Sequence, residues 1–404
     1  MNTTVKAIIW VVVLGVVAWA GYALLGSQPA MPIEEAAAVV PAEPIKIGFM
    51  GPLSGDSAAY GEPMRNIMDL AISEINAAGG VNGAQLIPIY EDAKCNDKDA
   101  TAAAQKLVTI DGVKVILGGF CSSESLAAIP VAEAGQVALF SPASSSPDLT
   151  GKSRFFSRNY PSDAAQGKVL ADAAYTIKKW KNVVMIQEQL DYPLGIFNAF
   201  SAAFEQLGGK KVVKESFPTS TTNFRSMLSK LKAMKPDAIF VNAQTPAAAD
   251  RILKQISDLK WKVGIIVNDV VARDVKTLET NKVILEGAFV AEFGTDINNA
   301  KFQNLLASYK VKYGIDMPFQ SYGQTEYDAV YIVRDALMAV GNDGAKIADW
   351  LKTVTNWEGA SGSVTISADG DRVGGHVLKV IKGGIVELYA MPVAVDAATT
   401  TVRE

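Results

Sequence analysis

The sequence predicts an α/β protein of two lobes, each a doubly wound parallel sheet with helices on both faces. From Ile45 onward, short apolar strands alternate with amphipathic helices, which is the rhythm of βαβ units. The alternation pauses near Arg154–Arg158 and then restarts, so the elements fall into two sets. The chain has 404 residues, which is long for a single hydrophobic core and typical of two domains.

The first set of elements begins with a strand at Ile45–Met50, followed by the tight-turn sequence Gly51-Pro52-Leu53-Ser54-Gly55. Apolar residues at helical spacing run from Met64 to Ile75, and Gly79-Gly80 end that helix. The pattern then predicts a strand at Gln85–Tyr90, a helix at Asp99–Ile110, a strand at Val113–Leu117, a helix at Glu124–Ala134 and a strand at Val137–Ser141.

The second set of elements repeats this order and ends in a more helical segment. Its predicted helices are Asp163–Lys179, Pro193–Leu207, Asn223–Met234, Ala247–Leu259, Asn299–Tyr313, Gln324–Val340 and Ala345–Val354. Its predicted strands are Asn182–Gln187, Lys211–Phe217, Asp237–Val241, Val263–Asn268, Ser363–Ile366, Gly375–Ile381 and Ile385–Tyr389. Two similar sets and a helical return suggest that the chain passes between the lobes more than once.

Two serine-rich loops follow neighbouring strands of the first set. In open α/β sheets a ligand binds beyond the carboxyl ends of the strands, so these loops are candidate ligand contacts. One contains Ser122, and the other contains Ala143, Ser144 and Ser145. Hydroxyls and free backbone N–H groups at a helix start suit an anion such as a carboxylate. The alternative is that each serine simply caps a helix.

Polar residues also follow strands of the second set. Tyr192, Gln244 and Asp269 each come shortly after a predicted strand. An acid such as Asp269 can pair with a ligand ammonium in a cleft of low dielectric constant. The alternative is an ordinary acidic residue in a surface loop.

Composition excludes several other classes of function. The net charge is -4 and no Lys/Arg-rich run is present, which argues against a nucleic-acid partner. The single histidine, His376, has no nucleophile elbow near it, so we expect no enzyme activity. The chain has no G-x-G-x-x-G motif and no metal-ligand spacing, so we expect neither cofactor nor metal.

The N-terminal residues predict export. Residues 7–26 form an uncharged apolar run after Lys6, long enough for a membrane anchor. A cleaved signal peptide, with Ala18-Trp19-Ala20 as the cleavage site, is the alternative. Residues 27–44 are rich in Ala, Pro and Glu and predict a linker. Cys95 and Cys121 are either free thiols or, in an exported protein, a disulfide.

Beyond residue 44 the chain resembles the branched-chain-amino-acid solute-binding receptors of ABC importers, which have the type I periplasmic-binding fold. The resemblance covers residues 45–389 and rests on the order and spacing of several short motifs. These are Ile45-Lys46-Ile47-Gly48, Gly51-Pro52-Leu53-Ser54-Gly55, Tyr60-Gly61, the segment 75–83, the segment 91–97, Cys121-Ser122-Ser123, the segment 141–145 and Tyr327-Asp328-Ala329-Val330.

The resemblance implies a hinge of three crossovers between the lobes. We expect lobe 1 to comprise residues 45–160 and 293–369, lobe 2 residues 161–292 and 370–394, and a disordered tail at 395–404. It also implies a disulfide between Cys95 and Cys121. The implied partners are an amino acid and ABC permease subunits, with the receptor itself a monomer. A membrane-tethered sensing module for another small amide or carboxylate is the alternative.

The resemblance also assigns roles to individual residues. The ligand carboxylate would meet Ser122 and the backbone of Ser144 and Ser145. The ammonium would meet the Ala143 carbonyl, the Ser145 hydroxyl and Asp269, while Tyr60 and Tyr192 line the cleft. Two positions depart from leucine-type receptors: Asp269 stands where a longer Glu is common, and Gln244 where an aromatic is common. The α-amino-acid clamp is kept, whereas the side-chain pocket is expected to be more polar than a leucine pocket.

Overall fold

The computed structural model describes residues 42–389, together with residues 10, 14–16, 18 and 19. The predicted anchor at 7–26 and the predicted linker at 27–44 lie mostly outside the described residues, and the predicted tail at 395–404 lies wholly outside them. Among the described residues, no helix combines the length and the apolar character needed to cross a membrane. Residues 42–389 belong to one compact unit.

The first sheet contains five parallel strands. They are β1 (Ile45–Gly51), β2 (Leu86–Asp92), β3 (Val115–Gly118), β4 (Ala138–Ser141) and β5 (Phe156–Arg158), in the spatial order β2-β1-β3-β4-β5. Because β1, β3 and β4 are flanked on both sides, their carboxyl ends lie together at the centre of one sheet edge. The loops that follow them therefore face the same space.

The second sheet contains seven strands. They are β6 (Val183–Glu188), β7 (Val213–Phe217), β8 (Ala238–Asn242), β9 (Gly264–Val267), β10 (Phe289–Glu292), β13 (Val377–Lys382) and β14 (Ile385–Leu388), in the order β14-β13-β10-β9-β8-β6-β7. A separate ribbon pairs β11 (Trp357–Gly359) with β12 (Gly362–Val364).

The α-helices of residues 42–389 are, in chain order, α1 (Ala58–Ala77), α2 (Asp97–Thr109), α3 (Ser122–Gly135), α4 (Asp163–Asp172), α5 (Asp191–Gln206), α6 (Arg225–Ala233), α7 (Pro246–Asp258), α8 (Asp269–Arg273), α9 (Val275–Thr280), α10 (Ala300–Tyr313), α11 (Gln320–Val340) and α12 (Gly344–Leu351). A π-helical turn, Ala173–Ile177, extends α4. The helices cover both faces of each sheet, which confirms the predicted doubly wound α/β class.

Successive residues of the central strands are buried on opposite faces of the sheet, as period-2 geometry requires. In β3, Val115 and Leu117 join the apolar core on one face of the first sheet, and Ile116 joins the core on the other face. In β8, Ile239 and Phe240 divide between the two faces of the second sheet in the same way. Strands buried on both faces are continuous apolar runs, which is why the sequence pattern located them.

Several elements differ from the sequence prediction. β5, β10, α8 and α9 were not predicted, because they span only three to six residues and such runs carry little periodicity. The last two strands pair antiparallel rather than parallel. They form a hairpin around Gly383 and Gly384, whose φ angles of 57° and 85° suit the left-handed geometry of a two-residue turn.

The chain moves between the two sheets along its length. β1–β5 build the first sheet and β6–β10 the second. The chain then supplies α11 against α1 and α12 against β4 before it returns to the second sheet as β13 and β14. The precise lobe boundaries expected at residues 160, 292 and 369 stay predictions.

Candidate ligand-binding site

A narrow cavity lies between the carboxyl ends of the two sheets. It is lined by Tyr60, Phe120, Cys121, Ser122, Ala143, Ser145, Tyr192, Gln244, Val270 and Tyr322. The structure thus brings six of the eight predicted site residues to one cavity. The other two, Ser144 and Asp269, do not line it and lie directly behind residues that do.

The first sheet contributes the hydroxyl of Ser122, the first residue of α3. Its Oγ accepts hydrogen bonds from the backbone N–H groups of Ser145, at 3.3 Å, and Ser146, at 3.1 Å. The two serine loops are therefore held together at adjacent strand ends. Because Ser122 Oγ accepts from the protein, its own proton remains for donation to an acceptor such as a carboxylate.

Ser144 organises the loop from behind. Its Oγ donates to the Gly119 carbonyl, at 2.8 Å, and lies 2.7 Å from Ser125 Oγ. Its backbone N–H donates to Ser141 Oγ at 2.9 Å. The Ser144 side chain therefore holds the two loops in register.

Arg158, the last residue of β5, fixes the second serine loop from below. Its guanidinium is fully buried, donates to the carbonyls of Ser144 and Ser146 at 3.2 and 2.9 Å, and pairs with Asp371 at 2.7 Å. Sequence reasoning missed Arg158, because its partner Asp371 is 213 residues away in the chain. No local pattern marks such a residue.

Glu124 joins the Cys95 and Cys121 segments at the cavity wall. One carboxylate oxygen accepts from Cys95 N at 2.7 Å and the other from Cys121 N at 2.9 Å. Burial raises the pKa of Glu124 to about 7, although the backbone N–H groups work in the opposite direction. Cys95 and Cys121 lie within disulfide distance, with their Cα atoms 5.3 Å apart.

Asp269 begins α8 in the second sheet's part of the site and is fully buried. Its carboxylate pairs with Arg273 at 2.7 Å and accepts hydrogen bonds from the hydroxyls of Tyr160, at 3.0 Å, and Tyr192. Burial opposes ionisation, but the pKa of Asp269 is still lowered because Arg273 stands beside it. The acid predicted for a ligand ammonium therefore already has a cation inside the protein.

Arg273 is the second functional residue that sequence reasoning missed. It pairs with Glu292 at 3.3 Å as well as with Asp269, and its guanidinium carbon lies 4.0 Å from the centre of the Tyr322 ring. The Asp269 to Arg273 spacing of four residues is a helical pair that could have been read from the sequence, had α8 been predicted.

Behind Ser145 lies the buried carboxyl group of Asp163, at the start of α4. Ser145 Oγ donates to Asp163 Oδ2 at 2.6 Å, and His376 Nε2 lies 3.6 Å from Asp163 Oδ1. Burial, reinforced by the charge of Asp269, raises the pKa of Asp163. Burial lowers the pKa of His376 to about 4, so the imidazole is neutral near pH 7 and the contact is not an ion pair.

Aromatic rings close the remaining walls of the cavity. Phe120 stacks on Tyr60 and meets Tyr322 edge to face, each with ring centres 5.0 Å apart. Phe120, Val270 and Tyr322 were not among the predicted site residues. Phe120 directly precedes Cys121 and Val270 directly follows Asp269, so their places in the predicted loops were available signals, whereas Tyr322 starts a distant helix.

No metal centre emerges from the described residues. Within residues 42–389, Cys95, Cys121 and Glu124 are the one group of three His, Cys, Asp or Glu side chains close enough to share an ion. The two sulfur atoms are within bonding distance of each other, and the Glu124 carboxylate accepts backbone hydrogen bonds. This group therefore fits a structural role.

The sequence of this chain is similar to those of known binding proteins. The model of a family described as periplasmic binding protein matches residues 44–382. An amino acid binding protein of Pseudomonas aeruginosa is 28% identical over 313 residues, which is 76% of this chain and 82% of that protein. A leucine-, isoleucine-, valine-, threonine- and alanine-binding protein of the same organism is 32% identical over 206 residues, 51% of this chain and 55% of that protein.

The chain is also similar to solved structures of solute-binding proteins. A leucine-binding protein from Thermotoga maritima superposes with a TM-score of 0.77 at 28% identity, covering 86% of this chain and 98% of that one. A branched-chain amino acid transporter substrate-binding protein from Streptococcus pneumoniae, in complex with isoleucine, has a TM-score of 0.75 at 26% identity, covering 85% and 98%. A benzoate-bound solute-binding protein from R. palustris, at 18% identity and a TM-score of 0.75, covers 85% and 95% and shares the fold.

Proposed function

Because the chain belongs to the periplasmic binding protein family, a family of solute binders rather than enzymes, we propose that it captures an α-amino acid between its two sheets and delivers it to an ABC importer. The observation that carries the proposal is that the cavity lining offers both a hydroxyl donor and hydroxyl acceptors. Ser122 presents a hydroxyl proton, whereas Ser145 and Tyr192 present hydroxyl oxygens.

The hydroxyl of Ser122 is a donor that suits a carboxylate. Ser122 Oγ takes its two hydrogen bonds from backbone N–H groups, which leaves its proton for the ligand. α3 begins at this residue, so the positive end of the helix dipole also faces an anion held here.

The hydroxyl oxygens of Ser145 and Tyr192 are acceptors that suit an ammonium. The Ser145 proton is donated to Asp163 and the Tyr192 proton to Asp269, so both oxygens are left as acceptors. Ala143 also lines the cavity, and in this proposal its carbonyl is a third acceptor. In this proposal Asp269 acts on the ammonium through the Tyr192 hydroxyl.

The test is a thermal-shift screen of the chain from Ala42 onward against the common amino acids. A ligand present at about a hundred times its Kd adds about 2.7 kcal/mol to the free energy of unfolding, which is a clear rise in Tm. Ser122→Ala should abolish the rise, because the proton donor to the carboxylate is gone. Ser201→Ala is the matched control, since Ser201 is a buried serine outside the cavity lining whose hydroxyl has no partner among the described residues. A Tm that no amino acid raises contradicts the proposal.

A second candidate ligand is a small carboxylate without an ammonium. The Asp269–Arg273 ion pair favours it, because the site already balances the charge of Asp269 internally. Loss of the thermal shift when the α-amino group of the ligand is replaced by hydrogen supports the amino acid. Retention of the shift supports the plain carboxylate.

The cellular setting completes the proposal. The apolar run at residues 7–26 supports an extracytoplasmic protein tethered to the membrane, and the Cys95–Cys121 pair supports an oxidising compartment. We propose that the protein works as a monomer and that Cys95 and Cys121 are oxidised. Non-reducing mass spectrometry tests the disulfide, and membrane fractionation tests the tether.

A further inference from the structure

The side chain of Gln244 has an orientation that its neighbours determine. Gln244 follows β8, and its backbone N–H donates to Glu188 Oε2 at 2.8 Å, which anchors the loop. Its side-chain Nε2 lies 2.7 Å from Cys95 Sγ. With Cys95 oxidised, as proposed above, its sulfur atom carries no proton, so the amide NH2 faces the sulfur and the amide oxygen faces elsewhere.

The side-chain oxygen of Gln244, Oε1, is buried at the cavity. Gln244 is 5% exposed and lines the cavity, and its Oε1 has no hydrogen-bond partner among the described residues. Buried carbonyl oxygens in folded proteins are nearly always paired, because an unpaired one loses its hydration without compensation. A group within the cavity is therefore the natural partner of this oxygen.

We propose that Gln244 is a specificity-determining residue that selects amino acids with a hydrogen-bond donor on the side chain, such as a hydroxyl or a primary amide. The inference rests on the proposed function and names its ligand class. A ligand donor pairs Gln244 Oε1, whereas an aliphatic side chain of the same shape keeps that oxygen unpaired. Sites built around a polar group discriminate against analogues that lack its partner.

The other walls limit where such a donor can lie. Phe120, Val270 and Tyr322 present apolar surface. The Tyr60 hydroxyl donates a hydrogen bond to the backbone carbonyl of Gln244 at 3.3 Å. Aliphatic atoms of the ligand would pack against the rings while the donor faces Gln244. The cavity therefore suits a small side chain that is polar at one point.

Isosteric pairs of ligands test this directly by isothermal titration calorimetry with the full chain. Threonine and valine differ by a hydroxyl against a methyl group, and asparagine and leucine by an amide against two methyl groups. We expect the polar member of at least one pair to bind about tenfold tighter or better, because only that member pairs the buried oxygen. This comparison needs no variant.

Variants then assign the discrimination to Gln244. Gln244→Met keeps the length of the side chain and removes the amide, so the preference within the pair should disappear or reverse. Gln187→Met is the matched control, because Gln187 is 3% exposed with an unpartnered Oε1 but does not line this cavity. The ligand preference of the Gln187→Met variant should match that of the unmodified chain.

The outcomes separate the two proposals. Equal affinities within both pairs, or an unchanged preference in Gln244→Met, overturn the inference while the proposed function stands. Failure of all four amino acids together with the wider thermal-shift panel overturns the proposed function and the inference with it.

Discussion

The two ends of the cavity are built in different ways. At the end formed by the first sheet, Ser122 accepts from backbone N–H groups of the neighbouring loop, 23 residues further along the chain. At the end formed by the second sheet, Asp269 is surrounded by side chains, and its hydrogen bond from Tyr160 spans 109 residues. One end is made chiefly of main-chain geometry and the other of paired side chains.

This difference indicates which part of the site can change its ligand. Main-chain groups at strand ends and at a helix start persist under most substitutions, so the fold itself positions Ser122 against the neighbouring loop. The other end depends on individual side chains, such as Gln244 and Arg273, and a single substitution there alters its charge or its hydrogen-bonding pattern. We expect ligand choice to be set at the second sheet.

The largest effect should come from removing the support beneath the main-chain end. Arg158→Met removes the buried cation that pairs with Asp371 and donates to two loop carbonyls, and should lower the free energy of unfolding by about 3–5 kcal/mol. Urea denaturation measures this change, and ligand binding should be lost as well.

The matched control for that variant is Arg154→Met. Arg154 pairs with Asp349 in an ion pair whose side chains are more than half exposed, so its loss should leave the unfolding curve nearly unchanged. Equal destabilisation by both variants would show that the buried arginine has no special role in holding the serine loop.

A smaller effect is expected at the side-chain end. Arg273→Met leaves Asp269 buried without its cation, at an expected cost of about 3 kcal/mol, because two tyrosine hydroxyls still solvate the carboxylate. Adding Asp269→Asn removes the unpaired charge and should recover part of the loss. If the double variant is as unstable as the sum of the two single variants, the pair does not act as a unit.

The third effect depends on pH and is small near pH 7. The pKa of His376 is about 4 in the folded protein, against about 6.5 for an unperturbed histidine. Between these values the unfolded chain binds more protons, so His376 makes the protein less stable as pH falls from 6.5 to 4. Its contribution reaches up to about 3 kcal/mol at the acid end and is less if the site relaxes.

His376→Phe isolates this contribution, because both imidazole nitrogens lack a hydrogen-bond partner among the described residues and the ring contact with Tyr160 is kept. Tm measured from pH 7 to pH 4 should fall less in the variant than in the unmodified chain. Parallel curves would mean that His376 titrates normally in the folded state.

Sequence patterns predicted much of this molecule and missed a defined remainder. The buried central strands and long helices carry strong periodicity, and the positions after strand ends pointed to the two loops that contain Ser122 and Ala143 to Ser145. Short elements such as β10 and α8 carry too little pattern to be found. Arg158 and Arg273 could not be assigned because their roles depend on partners distant in sequence or on an unpredicted helix.

One ligand should contact both sheets, and hydrogen–deuterium exchange with a saturating amino acid tests this most directly. With the chain from Ala42 onward, we expect slower exchange at residues 118–125 and 141–146 of the first sheet's loops and also at 188–192, 242–245 and 269–273 of the second. Protection confined to one sheet, or absent from both, would contradict capture of the ligand between them.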